Sequence, residues 1–317
     1  VDEFGLIKAF FSAHGSGASV RQGVGDDCAV LTPPSGHELL CSVDTVVAGR
    51  HFPAEARPEL VASRAVRTAL SDLAAMGAEP LWMTLALTLP HADEAWLKLF
   101  SRGLYEVAEH YGVSLVGGDT TKGPLCISVH VTGSAPQGSA LLRSGAKVGD
   151  EIFVSGSLGD AAAGLQLLLG DLDTDAQSAQ QLKRAYWKPE PRIKLGQELR
   201  ARASACIDIS DGLLADLGHL AEASAVKAVV DSTRIPLSQA LLASAPTRQA
   251  LEYALSGGDD YQLCFTAGGA EAEQLKQAGR SRSLDVTRIG EIVEGQGVVE
   301  ASSGAPFFVK QQGFQHF

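Results

Sequence analysis

Val24-Gly25-Asp26-Asp27-Cys28-Ala29-Val30-Leu31 sets two carboxylates between a glycine and an apolar run that reads as a buried strand. Ionised side chains in apolar surroundings are costly unless a cation or a hydrogen-bond network answers them, so the stretch asks for a partner. One acid pair is weak evidence in a chain with 37 acidic residues out of 317. An echo strengthens it: Ser256-Gly257-Gly258-Asp259-Asp260-Tyr261 precedes another apolar run, Gln262–Phe265. If Cys28 and Val30 face one side of a strand, Asp26 lies with them and Asp27 with Ala29 on the other. Asp27 is then the candidate for a metal cluster, and Asp26 holds the turn.

Outward from that stretch, Phe4, Ile7, Phe10 and Phe11 repeat at helical spacing, and Gly15-Ser16-Gly17 opens a loop that reaches residue 23. Glu38–Val47 reads as a strand carrying Ser42-Val43-Asp44-Thr45 into Gly49-Arg50-His51-Phe52. Pro58 opens a helix that Gly77 ends. Ala65, Ala69 and Met76 form its apolar stripe, and Asp72 falls on the same stripe, where a solvating acid would not be placed. Leu81–Leu89 is a strand, and Trp96, Phe100, Gly103, Val107 and Tyr111 mark a helix ended by Gly112. The short strand Val113–Val116 meets Gly117-Gly118-Asp119, which suits either close approach of a ligand or an ordinary turn.

Leu125–Val131 is a further strand, and Ala135–Gly149, rich in Gly, Ser, Pro and basic residues, marks a change of domain. The division expected is 1–138, a linker at 139–149, and 150–317. Arg143 in the linker is either an exposed arginine or a phosphate clamp. Ser155–Asp160 reads as a tight strand-to-helix turn before an Ala/Leu-rich helix. Another helix follows Pro191, and Cys206-Ile207-Asp208-Ile209-Ser210-Asp211-Gly212 leads a strand into a helix that Asp211 could cap. Asp208, alternating with isoleucines, is harder to dismiss. Scattered helices and strands in both halves indicate α+β domains with mixed sheets packed with helices.

Composition narrows the function. A formal charge of −11 argues against nucleic-acid and anionic-membrane binding, and no apolar run is long enough to span a bilayer. The start shows no signal-peptide pattern, and five cysteines, each alone in an apolar segment, read as reduced buried thiols in the cytoplasm. The acids of six segments fall near element ends, mostly without His or Cys beside them. An all-oxygen set suits magnesium, which bridges carboxylates to phosphate oxygens. Neither a P-loop, a dinucleotide fingerprint nor a protein-kinase catalytic loop is present.

Six motifs in order, Gly25-Asp26-Asp27-Cys28-Ala29, Ser42-Val43-Asp44-Thr45 with Gly49-Arg50-His51-Phe52, Leu70–Gly77, Gly117-Gly118-Asp119, Asp208–Gly212 and Ser256–Tyr261, carry a resemblance. The chain resembles the thiamine-monophosphate kinase family, of the superfamily that includes aminoimidazole ribonucleotide synthetase and selenophosphate synthetase. The resemblance implies a two-domain aminoimidazole ribonucleotide synthetase-like fold, an N-terminal domain that dimerises and binds ATP and magnesium, and phosphorylation of thiamine monophosphate by ATP. It implies several magnesium ions on Asp27, Ser42, Asp44, Asp72, Asp119, Asp208 and Asp211, with Asp44 and Asp211 central to catalysis. It also implies ATP contacts from Gly118, Asp119, Arg143 and Ser210, and substrate contacts from His51, Asp259 and Phe314. Val43 stands where the family usually has Thr, and Asp259 where it usually has Glu. Two rivals stand beside this reading: another ATP-dependent synthetase of the superfamily, and a non-catalytic nucleotide or metal sensor. A selenium enzyme would call for a reactive cysteine at 12–23, which contains none.

Overall fold

A computed structural model describes residues 3–12, 19–280, 285–309 and 313. The chain forms two compact units, Val1–Leu73 with Ala78–Gly138, and Ala74–Gly77 with Ser139–Phe317. Phe314 lies outside the described residues, as do 13–18 of the N-terminal loop.

The first unit contains α1 (Glu3–Phe10), β1 (Val20–Gln22), β2 (Val30–Leu31), β3 (His37–Val47), α2 (Pro58–Ala75), β4 (Glu79–Leu89), α3 (Glu94–Tyr111), β5 (Ser114–Lys122) and β6 (Cys126–Pro136). Its sheet runs β3-β6-β4-β5, antiparallel except for the parallel pair β4 and β5, and α3 supplies the crossover that a parallel pair requires. Val66, Ala69, Leu70 and Leu73 of α2, Phe100 and Leu104 of α3, and Leu87, Ile127 and Val131 of the sheet are buried in its core. At Gly103 a methyl group would come within 2.4 Å of the Glu59 carbonyl oxygen, so α3 passes α2 too closely for any side chain.

Three readings change here. The strand predicted over Cys28–Leu31 is only Val30–Leu31, paired with β1 in a two-stranded ribbon, and Asp26, Asp27, Cys28 and Val30 are all exposed. Cys28 and Val30 do share the exposed side and Ala29 and Leu31 the half-buried one, but Asp26 and Asp27 are exposed alike, so the alternation does not set the two acids apart. Strand β5 continues past Val116 to Lys122 because β4 pairs with it throughout, which puts Gly117–Asp119 inside a strand. Cys206 and Cys264 are buried, whereas Cys28 and Cys41 are exposed, one on the ribbon side of the unit and one on the outer row of β3.

The second unit contains β7 (Glu151–Ser155), α4 (Asp160–Leu169), α5 (Ala176–Trp187), α6 (Ile193–Leu199), β8 (Ala205–Asp208), α7 (Leu213–Ala223), β9 (Lys227–Val230), α8 (Gln239–Ser244), α9 (Thr247–Ser256), β10 (Leu263–Ala267), α10 (Gly269–Arg280), β11 (Val286–Val293) and β12 (Gly297–Glu300). Its six strands run β12-β9-β11-β7-β10-β8, with only β12 and β9 parallel. Residues 139–149 carry neither helix nor strand, and Leu142 and Arg143 are tied through their carbonyls to Cys206 N–H and the Ser224 hydroxyl. The turn before α4 is the tight one expected, and its amide is answered from within the chain: Asp260, buried, accepts from Gly159 N–H at 2.8 and 3.0 Å.

Two measurements follow from this packing. Gly103→Ala should lower unfolding free energy by about 1–3 kcal/mol, as overpacking does, while Gly218→Ala on α7, with nothing within 4 Å, should be neutral or slightly stabilising. Denaturant unfolding compares the two. Burial pushes the Asp260 carboxyl well above its ordinary value, and the charges of Asp160 and Asp259 act in the same direction. The folded chain therefore keeps that proton where the unfolded chain has lost it, and this group's contribution to stability falls as pH rises above the ordinary carboxyl value. Asp260→Asn keeps an acceptor for Gly159 but cannot ionise, so its stability should decline less steeply than wild type between about pH 4 and 8; an equally steep decline would contradict the assignment.

Candidate active site

In the first unit, strand alternation places Leu40, Ser42, Asp44 and Val46 on one face of β3 and Leu39, Cys41, Val43 and Thr45 on the other. The Ser42 hydroxyl donates to Asp72 Oδ2, which joins β3 to the stripe of α2 that singled out Asp72. Asp44 follows two residues along the same face, half-buried, with Oδ1 accepting from Thr45 N–H at 2.8 Å. The cross-sheet row of Asp44 is Val129, Leu85 and Gly118. Gly118 has φ 153°, and a methyl group there would come within 2.0 Å of the Leu85 carbonyl oxygen. The position accepts only glycine.

Asp119 belongs to the next row, Thr45, Ser128 and Ala86, where the Thr45 and Ser128 hydroxyls lie 2.7 Å apart. The register thus separates Asp119 from Asp44 by one pleat, onto the opposite face. Asp27 is exposed ahead of β2, and its N–H donates to Asp26 Oδ1 at 2.8 Å. His51 is fixed by a short loop: its Nδ1 accepts from Val47 N–H at 3.0 Å and its own N–H donates to Val47 O. An accepting Nδ1 puts the neutral ring's proton on Nε2.

In the second unit, β8 ends at the buried Asp208 and the chain turns through Ile209–Gly212 into α7. A residue that the sequence reading passed over controls this turn. Asp216 Oδ2 accepts from the N–H groups of Ser210, Asp211 and Gly212 at 3.0, 3.0 and 3.1 Å. Burial, then the charge of Asp211, pushes the Asp216 carboxyl up to about 7 against the pull of those amides. The signal was available: Leu213, Leu217 and Leu220 form the buried stripe of α7, and Asp216 falls on it as Asp72 does on α2. Asp259 and Tyr261, both at positive φ (64° and 50°), lay a strap along the turn, with Asp259 N–H on Ser210 O and Tyr261 N–H on Ile209 O, each at 2.8 Å. The Arg143 side chain is exposed, and Ser210, Asp211 and Asp259 are half-buried. Beside the strap a groove of about 1010 Å³ is lined by Gln249, Tyr253, Ser256, Gly257, Phe308 and Gly313.

Among the described residues no group of three or more His, Cys, Asp or Glu gathers to hold a metal ion. Magnesium does not need such a cage, since it binds through one or two carboxylates, substrate phosphates and waters. Ser42 with Asp72, and Asp44 two residues along their face, form an oxygen-only donor set of that kind. In the second unit the Gly159 amide before α4 and the Ser210, Asp211 and Gly212 amides before α7 are taken by Asp260 and Asp216.

Residues 25–135 match the model of the AIR synthase related protein, N-terminal domain, and 147–301 that of its C-terminal domain. Thiamine-monophosphate kinase of Escherichia coli strain K12 is 45% identical over 318 residues, which cover 99% of this chain and 98% of that one. The crystal structure of thiamine-monophosphate kinase from Stenotrophomonas maltophilia K279a is 43% identical with a TM-score of 0.88, over 97% of this chain and 98% of its own. AaThiL complexed with AMPPCP and TMP is 34% identical with a TM-score of 0.79, over 99% of this chain and 97% of its own. Matched across both units by the family models and over nearly its full length by these relatives, the chain belongs to the AIR synthase related family and, within it, to the thiamine-monophosphate kinases.

Proposed function

We infer that the protein transfers the γ-phosphoryl group of ATP to the phosphate of thiamine monophosphate, giving thiamine diphosphate and ADP. The observation that carries this reading is identity along both units to thiamine-monophosphate kinases, together with a solved relative that holds AMPPCP and TMP at once. The chemistry is consistent with an acid-rich chain. At about 4–5 Å, two unit charges of like sign repel by roughly 3–4 kcal/mol at an effective dielectric near 20, and two phosphates bring several such pairs. Bound magnesium supplies the neutralising charge.

In this proposal Asp27, Ser42, Asp44, Asp72 and Asp119 of the first unit and Asp208 and Asp211 of the second hold the magnesium ions. Gly118, Asp119, Arg143 and Ser210 meet ATP, Arg143 through a guanidinium suited to phosphate oxygens. His51 donates from Nε2 to the substrate's phosphate, Asp259 meets the thiamine portion, and Phe314 stacks on it. The acceptor, with a second pKa near 6, is mostly deprotonated at neutral pH, so no general base is required. Attack is in line and direct, and the aspartates hold cations rather than protons.

Division into an N-terminal dimerising and ATP-binding domain at 1–138, a linker at 139–149 and a C-terminal domain at 150–317 accompanies this reading. The outer row of β3 suits self-association, with Leu39 and Val43 exposed at 47% and 63% beside Cys41. The reading places the protein in the cytoplasm, where thiols stay reduced; no described helix is long and apolar enough to cross a membrane.

Incubation with magnesium, ATP and thiamine monophosphate should yield ADP and thiamine diphosphate in equal amounts. Free phosphate without thiamine diphosphate rejects the reading, and ATP binding with no turnover supports a sensor. Asp44→Asn should abolish turnover, by about 100-fold or more, with its melting temperature little changed; wild-type rates at saturating magnesium would sink the assignment. Asp27→Asn should be similarly impaired and Asp26→Asn active, and the reverse pattern would exchange their roles. Val43→Glu should shift a sedimenting dimer towards monomer, and an unchanged dimer would place the interface elsewhere.

A further inference from the structure

We propose that Asp216 is a positioning residue for phosphoryl transfer, fixing the Ser210–Gly212 turn so that Ser210 and Asp211 present their side chains, and not their amides, to magnesium and nucleotide. This rests on the kinase reading for the roles of Ser210 and Asp211, while the geometry stands by itself. The main-chain bonds of the turn are nearly all assigned within the protein. Ile209 N–H goes to Gln262 O at 2.8 Å and Ile209 O receives Tyr261 N–H; Ser210 O receives Asp259 N–H; Gly212 O receives Asp216 N–H at 3.0 Å. The remaining donors, Ser210, Asp211 and Gly212 N–H, converge on the single oxygen Asp216 Oδ2.

Such a turn has two consequences. Its three amides point at Asp216, so Ser210, Asp211 and Gly212 N–H are not open to a phosphate. Its side chains are then what remains for a ligand, and Asp211 is held in place before any cation arrives. Loss of an outer group that orients metal-holding residues typically weakens metal affinity or activity by about 10–100-fold. Asp216 is 3% exposed and cannot itself meet a ligand in this conformation.

The test compares wild type, Asp216→Ala and Asp216→Asn by three measurements: amide hydrogen exchange at 210–212, calorimetric titration of the nucleotide-free protein with magnesium, and kinetics with magnesium-ATP and thiamine monophosphate. In Asp216→Ala, exchange at 210–212 should accelerate while β8 and β10 stay protected. Half-saturating magnesium and KM for ATP should each rise by about 10–100-fold. Asp216→Asn, which retains an acceptor, should fall between the two. Wild-type exchange and magnesium binding in folded Asp216→Ala would overturn the proposal. If that variant does not fold, Asp216→Asn decides: wild-type values in it overturn the proposal and intermediate values sustain it. A wild-type protein with protected amides and bound magnesium that makes no thiamine diphosphate defeats the kinase reading and leaves the positioning role in place.

Discussion

A buried carboxylate persists only where amides, hydroxyls or cations answer it, and the loops of the second unit are arranged around that requirement. Asp216 gathers the three amides that lead into α7, and Asp260 takes the amide that leads into α4. Asp160, also buried and pushed up by burial, accepts from the Ser238 and Ser157 hydroxyls. Asp216 and Asp260 answer main-chain amides, and Asp160 answers hydroxyls. The four amides that lead into α4 and α7 thus answer the protein's own acids.

The first unit solves a different problem, that of making one edge strand serve two surfaces. The helix side of β3 carries Ser42 and Asp44 towards Asp72, while the outer side carries Leu39, Cys41 and Val43. The pleat keeps these two rows apart. Val43 is on the face away from Ser42 and Asp44. Asp259 is fixed by its main chain in the strap over Ser210.

Much of this was legible from residue order. Helix α2 from Pro58, strand β3, helix α3 to Gly112 and the Asp208–Gly212 turn all follow from local periodicity, proline and glycine, because those signals act over a few residues. Asp72 was legible for the same reason, as an acid on an apolar stripe, and Asp216 carried the same mark. The acid doublet was misread at its surroundings, since periodicity says which residues share a face but not whether another layer covers it.

By itself the sequence determined the chemistry available: oxygen donors in six segments, no nucleotide loop of a common kind, an excess of negative charge and an α+β alternation. Only the tertiary structure decided which donors meet. Ser42 reaches Asp72 across 30 residues, Asp119 lies a pleat away from Asp44, and Asp216 gathers the amides of the Ser210–Gly212 turn. Register and helix packing set those distances, and both depend on contacts between residues far apart in the chain, which no local pattern encodes.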